Sequence, residues 1–135
     1  MNIIGGMQGP KSILIVEDEK IVALDFQNRL EKLGYTVTGC TGSYEETVTL
    51  IQNELPDIII MDIILKSGED GITLAKKIRE NYDIPVIFST VRSDESTLKD
   101  VVETEGYGYL NKPVNNNELR YTLEIAYYHH QTASR

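Results

Sequence analysis

The sequence predicts an α/β fold in which a central parallel sheet is covered by helices on both faces. Three observations predict it. Short apolar runs alternate with segments of helical periodicity along the 135 residues, the pattern of βα units joined by right-handed crossovers. Ile58-Ile59-Ile60-Met61 is continuously apolar, as a strand buried on both faces is, and so belongs at the centre of the sheet. Gly34, Pro56, Pro85 and Gly106 punctuate the boundaries between the two patterns.

The elements follow in order. Residues 1–11 read as a mobile tail. Ser12 to Val16 is the first strand. From Lys20 to Leu33 the apolar residues Ile21, Leu24, Leu30 and Leu33, with Phe26 beside them, fall near helical spacing. Gly34 stands where a C-cap glycine belongs. Tyr35 to Cys40 alternates and is rich in β-branched residues, a second strand, with Cys40 as a small buried filler. Ser43 followed by Glu46 resembles a capping box that opens a second helix, with Val48 and Ile51 facing the core. Pro56 ends it, and Asp57 to Asp62 is the third strand.

A loop, Ser67 to Gly71, leads to a third helix carrying Ile72, Leu74, Ala75 and Ile78. Pro85 opens the fourth strand, which runs to Thr90. Ser93 or Asp94 is placed to cap a fourth helix with Leu98, Val101 and Val102 inward. Gly106 precedes the fifth strand, and Asn115 to Tyr128 forms the last helix, with Leu119, Leu123 and Ala126 on one face. No internal repeat, low-complexity tract or linker divides the chain. One domain is expected over residues 12–130, with 131–135 as a short tail.

Composition narrows the function. Hydrophobic content of 41% and charged content of 25% are ordinary for a soluble globular protein. The formal net charge of -8 lacks the cations that nucleic-acid binding requires, so direct contact with DNA or RNA is not expected. No apolar stretch approaches the roughly 20 residues of a transmembrane helix. Met1 to Pro10 has no basic region in front of an apolar one and is a poor secretory signal. The single cysteine cannot form an internal disulfide and fits a reducing cytoplasm, the expected location.

The chemistry lies at the strand ends. The first apolar run ends on Glu17-Asp18, the third on Asp62, the fourth on Ser89-Thr90 and the fifth on Asn111-Lys112-Pro113. Open parallel sheets bind ligands outside the carboxyl ends of their strands. If these strands are neighbours, three acids, a hydroxyl and an ammonium converge on one pocket, a set able to hold a divalent metal and a phosphoryl group together. Singly, each residue has a plainer role. Asp62 can be a polar strand end, Glu17-Asp18 first-turn acids favouring a helix N-terminus, Lys112 a solvated lysine and Thr90 a β-branched strand residue. It is the joint placement at four strand ends that points to a site.

These motifs resemble the receiver domain of two-component response regulators over about residues 11 to 130. The resemblance rests on Ile15-Val16-Glu17-Asp18-Glu19, Pro56 through Asp62, Asp70-Gly71, Pro85 through Thr90, and Tyr109-Leu110-Asn111-Lys112-Pro113. It implies a flavodoxin-like, three-layer doubly wound sandwich, with five parallel strands in the order 2-1-3-4-5 and five helices. It implies that Asp62 is the phosphoacceptor and that Mg²⁺, or Mn²⁺ in its place, is held by Asp18, Asp62 and the backbone carbonyl of Ile64, with Glu17 acting through water. Lys112 would bring its ammonium to the phosphoryl oxygens and to Asp62, and Thr90 would donate its hydroxyl to one of those oxygens. Thr90 and Tyr109 would form the switch, and the fourth helix, fifth strand and fifth helix the output face, near which Tyr107, Tyr121, Tyr127 and Tyr128 lie. The family usually shows a cis peptide at the position of Lys112-Pro113.

The implied partners are a histidine kinase or phosphotransfer domain upstream, and a downstream protein or fused output domain, with a phosphorylation-dependent homodimer as a further form. The domain would catalyse only its own phosphorylation and slow dephosphorylation. No output domain follows the last helix in this sequence, which fits a stand-alone regulator or part of a longer protein. The sequence also departs from the usual pattern. The Asp62–Gly71 loop is one residue longer than in chemotaxis-type regulators, Val91 stands where a small residue is usual, and Ile64 and Arg92 occupy positions that tune hydrolysis in the family. Other readings fit less well. An aspartyl phosphatase wants a second acid at the position of Ile64, and in a flavodoxin-like cofactor binder Glu17-Asp18-Glu19 would repel the phosphate. A phosphate-independent pseudo-receiver used for docking is the remaining alternative. His129 and His130 are expected to be exposed at the end of the last helix, away from the site.

Overall fold

The computed structural model describes residues 2–4, 7–65, 68–91, 99–102 and 107–133. Strands β1 (Ser12–Val16), β2 (Thr36–Thr41), β3 (Ile58–Asp62), β4 (Val86–Thr90) and β5 (Gly108–Asn111) form one sheet. They lie side by side in the order β2-β1-β3-β4-β5, all parallel, as the sequence led us to expect. Helices α1 (Lys20–Lys32), α2 (Tyr44–Asn53) and α3 (Gly71–Asn81), the helical residues 99–102 (α4), and α5 (Asn116–Ala133) cover it.

The period-two alternation of strand side chains divides the core into two halves. Leu14, Val16, Ile59, Met61 and Phe88 point to one face, where Ile51 of α2, Leu74, Ala75 and Ile78 of α3, and Val101 of α4 cover them. Ile13, Ile15, Ile58, Ile60 and Ile87 point to the other, under Phe26 and Leu30 of α1 and Leu119, Leu123 and Ala126 of α5. Every residue of β3 is buried, which explains why its sequence does not alternate. Removing each such side chain from water stabilises the fold by about 1.5–3 kcal/mol.

Local signals terminate the helices. Gly34 adopts φ +99°, the left-handed conformation expected of a residue just past a helix end. The Ser43 hydroxyl accepts from the Glu46 amide at 3.3 Å. The reciprocal half of the capping box is replaced, since the Glu46 carboxylate accepts from the Thr41 hydroxyl at 3.4 Å. Asp70 caps α3 by accepting from the Ile72 amide at 3.1 Å.

Several side chains depart from expectation. On α1 Ala23, Phe26 and Leu30 are the buried stripe, while Ile21 is 85% exposed and Leu24 is exposed too. A spacing of three and four residues fits two phases of a helix, and the bulk of Phe26 fixes the one adopted. Cys40 is exposed because β2 is an edge strand. Val102 is exposed beside buried Val101, and on α2 Thr47 is buried where Val48 was expected. Residues expected to be a tail include a short antiparallel ribbon, Asn2–Ile4 against Met7–Gln8. α5 runs to Ala133, past the expected boundary at 130. With that extension His130 is 6% exposed, not solvent-facing. Its Nε2 lies 3.0 Å from Asp83 Oδ1. The expected cap at Ser93 or Asp94, Leu98, Arg92, Gly106 and Ser67 lie outside the described residues.

Candidate functional site

Parallel register assembles the site. Val16 pairs with Met61, which sets Glu17 next to Asp62. Asp62 pairs with Ser89, and Thr90 pairs with Asn111, the residue before Lys112. The Lys112 amide donates to the Thr90 carbonyl at 2.8 Å, continuing the ladder beyond β5. The Lys112–Pro113 peptide is cis. A one-residue slip of any strand would carry its terminal polar residue to the opposite face.

Carboxylate oxygens of Glu17, Asp18 and Asp62 lie within 4.8 Å of one another. Three hard oxygen donors this close can hold a divalent cation such as Mg²⁺ or Mn²⁺, and the residues therefore fit the metal implied by the sequence. Asp62 is 7% exposed. Its Oδ1 accepts from the Ile64 amide at 3.2 Å. Burial pushes its carboxyl up from 3.8 to about 7, and the neighbouring Glu17 adds to the rise; the Lys112 ammonium and the Ile64 amide oppose it.

Lys112 divides its attention between two acids. Its Nζ donates to Glu17 Oε1 at 2.6 Å and lies 3.6 Å from Asp62 Oδ2. The other Glu17 oxygen accepts from the Glu19 amide at 3.1 Å, which holds Glu17 in place at the entrance to α1. The sequence placed Lys112 with Asp62. That it is closer to Glu17 depends on the reach of a glutamate side chain and has no sequence signal.

The loop after β3 is equally constrained. Ile64 pairs with Asp70 in an isolated antiparallel bridge. Gly71 donates to the Ile63 carbonyl at 2.8 Å. A Cβ at Gly71 would stand 2.0 Å from the Asp62 carbonyl oxygen, so only glycine permits this approach. Thr90 is fully enclosed at the end of β4. Tyr109, half-buried in β5, packs against the core on the α3 face. The structure thus gathers Glu17, Asp18, Asp62 and Lys112 directly, with Thr90 one strand away on β4 and Tyr109 on β5 beside Phe88.

The surface beside the acids mixes polar side chains, Lys20, Gln27, Thr41 and Glu46 among them, with exposed apolar ones. Ile21, Leu24, Ile64 and Val91 are all exposed. A cavity of about 470 Å³ opens beside Lys112, lined by Ile21, Phe26, Arg29, Val91, Pro113 and Val114 among others. Arg29 was not singled out from the sequence, where it reads as an ordinary helix-surface cation. In the fold its guanidinium donates to the Val114 carbonyl, two residues beyond Lys112.

Comparison with known proteins agrees with this fold. The sequence profile of the response regulator receiver domain matches residues 13–124. Among solved structures, the chain is similar to the signal receiver domain of a modulated diguanylate cyclase from Desulfovibrio desulfuricans G20, with 32% identity and a TM-score of 0.83 over 93% of this chain and 99% of that one. It is similar to the N-terminal domain of a response regulator/sensory box/GGDEF 3-domain protein from Carboxydothermus hydrogenoformans, with 32% identity and a TM-score of 0.82 over 93% and 100%. It also resembles a two-component response regulator from Clostridium difficile, with 28% identity and a TM-score of 0.78 over 86% and 94%.

Proposed function

The chain belongs to the response regulator receiver domain family, and from that premise we propose that it is a working phosphoacceptor. It takes a phosphoryl group from the phosphohistidine of a histidine kinase or phosphotransfer domain onto Asp62. The observation that carries this reading is the gathering of Glu17, Asp18 and Asp62 within 4.8 Å, with the Lys112 ammonium 3.6 Å from the acceptor.

Asp62 is the nucleophile. One of its oxygens forms a bond to phosphorus as the bond from phosphorus to the donor nitrogen breaks, and the product is an acyl phosphate. Glu17, Asp18, Asp62 and the Ile64 carbonyl are the groups that would hold Mg²⁺, or Mn²⁺, with Glu17 acting through water. When bound, the cation would supply positive charge that keeps Asp62 ionised and offsets the negative charge of the incoming phosphoryl group. Lys112 turns from Glu17 to the phosphoryl oxygens, and Thr90 donates its hydroxyl to one of them. The transition state is loose, so placed charges contribute most of the catalysis.

The added charge, about -1.5 to -2, then draws Thr90 toward the phosphoryl group, and Tyr109 rotates inward behind it. The face formed by α4, β5 and α5 changes its shape, and a downstream protein, a fused output domain or a second copy reads the change. The module signals from the cytoplasm and turns over no external metabolite. The exposed apolar rim of Ile21, Leu24 and Val91 is a surface for the protein donor to cover.

Incubating wild type and Asp62→Asn with Mg²⁺ and acetyl phosphate, then measuring intact mass, tests this. One added phosphoryl group in wild type only, lost on chelation, is the expected outcome. Folded protein that gains none would make the chain a phosphate-independent pseudo-receiver. Equal gain in both would place the acceptor elsewhere.

A further inference from the structure

Lys112 delivers its ammonium from a turn, and a turn needs fixing on both sides if it is to place a charge. One side is held by β4, through the Lys112 amide and the Thr90 carbonyl at 2.8 Å. On the other side stands α1. There the Arg29 guanidinium donates through Nη1 to the Val114 carbonyl, while Asp25, one helical turn earlier, holds its Nε at 3.0 Å. The guanidinium is a rigid planar fork, so fixing one nitrogen fixes the direction of the others. Arg29 also lines two openings between α1 and this turn, the cavity of about 470 Å³ beside Lys112 and another of about 710 Å³ towards Asn115 and Asn116. It bridges a gap that apolar packing does not fill.

We infer that Arg29 is a positioning residue for Lys112, tying the Lys112-Pro113-Val114 turn to α1 so that the ammonium stays within reach of Glu17 and Asp62. This rests on the receiver reading of the site. Asp25 is the second member of the device, because it aims the fork. Lysine at 29 has no second planar donor and cannot hold Asp25 and the Val114 carbonyl in the same geometry.

The test compares wild type, Arg29→Met and Arg29→Lys, alone and in a Lys112→Met background. Four quantities are read: the rate of phosphorylation by acetyl phosphate, the Mg²⁺ dissociation constant, the melting temperature and the NMR resonance of the Lys112 side-chain Cε. In Arg29→Met the rate should fall about three- to tenfold, the loss expected when a reacting group is slightly misplaced. Mg²⁺ affinity should stay within about twofold, because the cation's ligands sit on other loops. The Lys112 resonance should move or broaden, and Arg29→Lys should restore little of it. In the Lys112→Met background Arg29→Met should add no further loss, since residues acting through one another are not additive. An unmoved Lys112 resonance would overturn the proposal, as would a full, additive loss in the Lys112→Met background. A purely structural role would lower the melting temperature and leave that resonance in place. If wild type takes up no phosphoryl group, the receiver reading is what fails, and the Lys112 resonance still decides whether Arg29 holds the turn.

Discussion

The two ends of the sheet use the same residue types to opposite effect. At the amino ends, Asp57, Glu124 and Asp83 each meet a donor. Asp57 Oδ2 accepts from the amides of Lys11 and Ser12 at 2.7 and 3.1 Å, pinning the start of β1. The Tyr35 hydroxyl, just before β2, donates to Glu124 Oε2 of α5 at 2.6 Å. His130 sits 3.0 Å from Asp83 and packs edge-on against Tyr107, with ring centroids 5.4 Å apart. At the carboxyl ends, three carboxylates crowd within 4.8 Å. Paired groups stabilise a fold, whereas crowded like charges weaken it until a ligand arrives. At the amino end the acids are matched by donors, and at the carboxyl end the Lys112 ammonium is what offsets the crowding.

The largest test of this contrast is Asp62→Asn in metal-free protein. The carboxyl is raised from 3.8 to about 7 by burial and by Glu17. Between those values native Asp62 holds a proton that the unfolded chain has released. Stability therefore declines as pH rises through that window, and the deficit is complete above it. Asparagine removes the deficit. The variant should be more stable than wild type by about 2 kcal/mol at pH 8, with the gain shrinking towards pH 4. Urea unfolding at several pH values in a chelator measures it, and Mg²⁺ should bring wild type back towards the variant. A variant no more stable at pH 8 would mean that Lys112 already relieves the crowding.

The opposite sign is expected at the other end. Burial, then the bond to Glu124, pushes the Tyr35 phenol up, so the hydroxyl stays a donor across the working range of pH. Tyr35→Phe leaves a buried carboxylate oxygen without its donor and should destabilise by about 1.5 kcal/mol. Phosphorylation by acetyl phosphate should remain within about twofold of wild type, as the change lies far from the transition state. A neutral effect on unfolding would show that Glu124 finds another partner and that the amino end is not as tightly matched as its distances imply.

What the sequence made legible divides along the same line. β1, β3 and β4 are readable because a strand buried on both faces admits only apolar residues. Their terminal acids and hydroxyl stand out because nothing else polar interrupts those runs. Asp62, Asp18, Glu17 and Thr90 could be named for that reason, whereas Lys112 follows the partly buried β5 and was named from the Asn111-Lys112-Pro113 motif. Pairings between side chains distant in sequence were not legible. Glu17 and Lys112 are 95 residues apart, and Arg29 and Val114 are 85 apart. Neither pair leaves a periodic trace. His130 reads as a helix-end cation until α5 is seen to extend to Ala133 and dock against Asp83. The exposure of Ile21 and Leu24 was not legible either, because an apolar residue at helical spacing reads the same whether it is buried or not.

The smallest expected effect is the one that separates holding a phosphoryl group from accepting it. Ile64 is 50% and Val91 73% exposed, both at the edge of the site. Hydrolysis needs a water placed opposite the bond between phosphorus and Asp62. An apolar rim offers that water no hydrogen bond and fills part of its path. Val91→Ala widens the path without adding a polar group or touching the carboxylates. It should shorten the phosphoryl lifetime about threefold, equivalent to about 0.65 kcal/mol in the barrier, while leaving the rate of phosphorylation and the unfolding curve near those of wild type. The decay of the added mass after removal of acetyl phosphate gives the lifetime directly. A lifetime unchanged in Val91→Ala would assign the control of water to Ile64 and the enclosed carboxyl ends of the strands, and would leave the crowded acids as the sole feature by which this end of the sheet differs from the other.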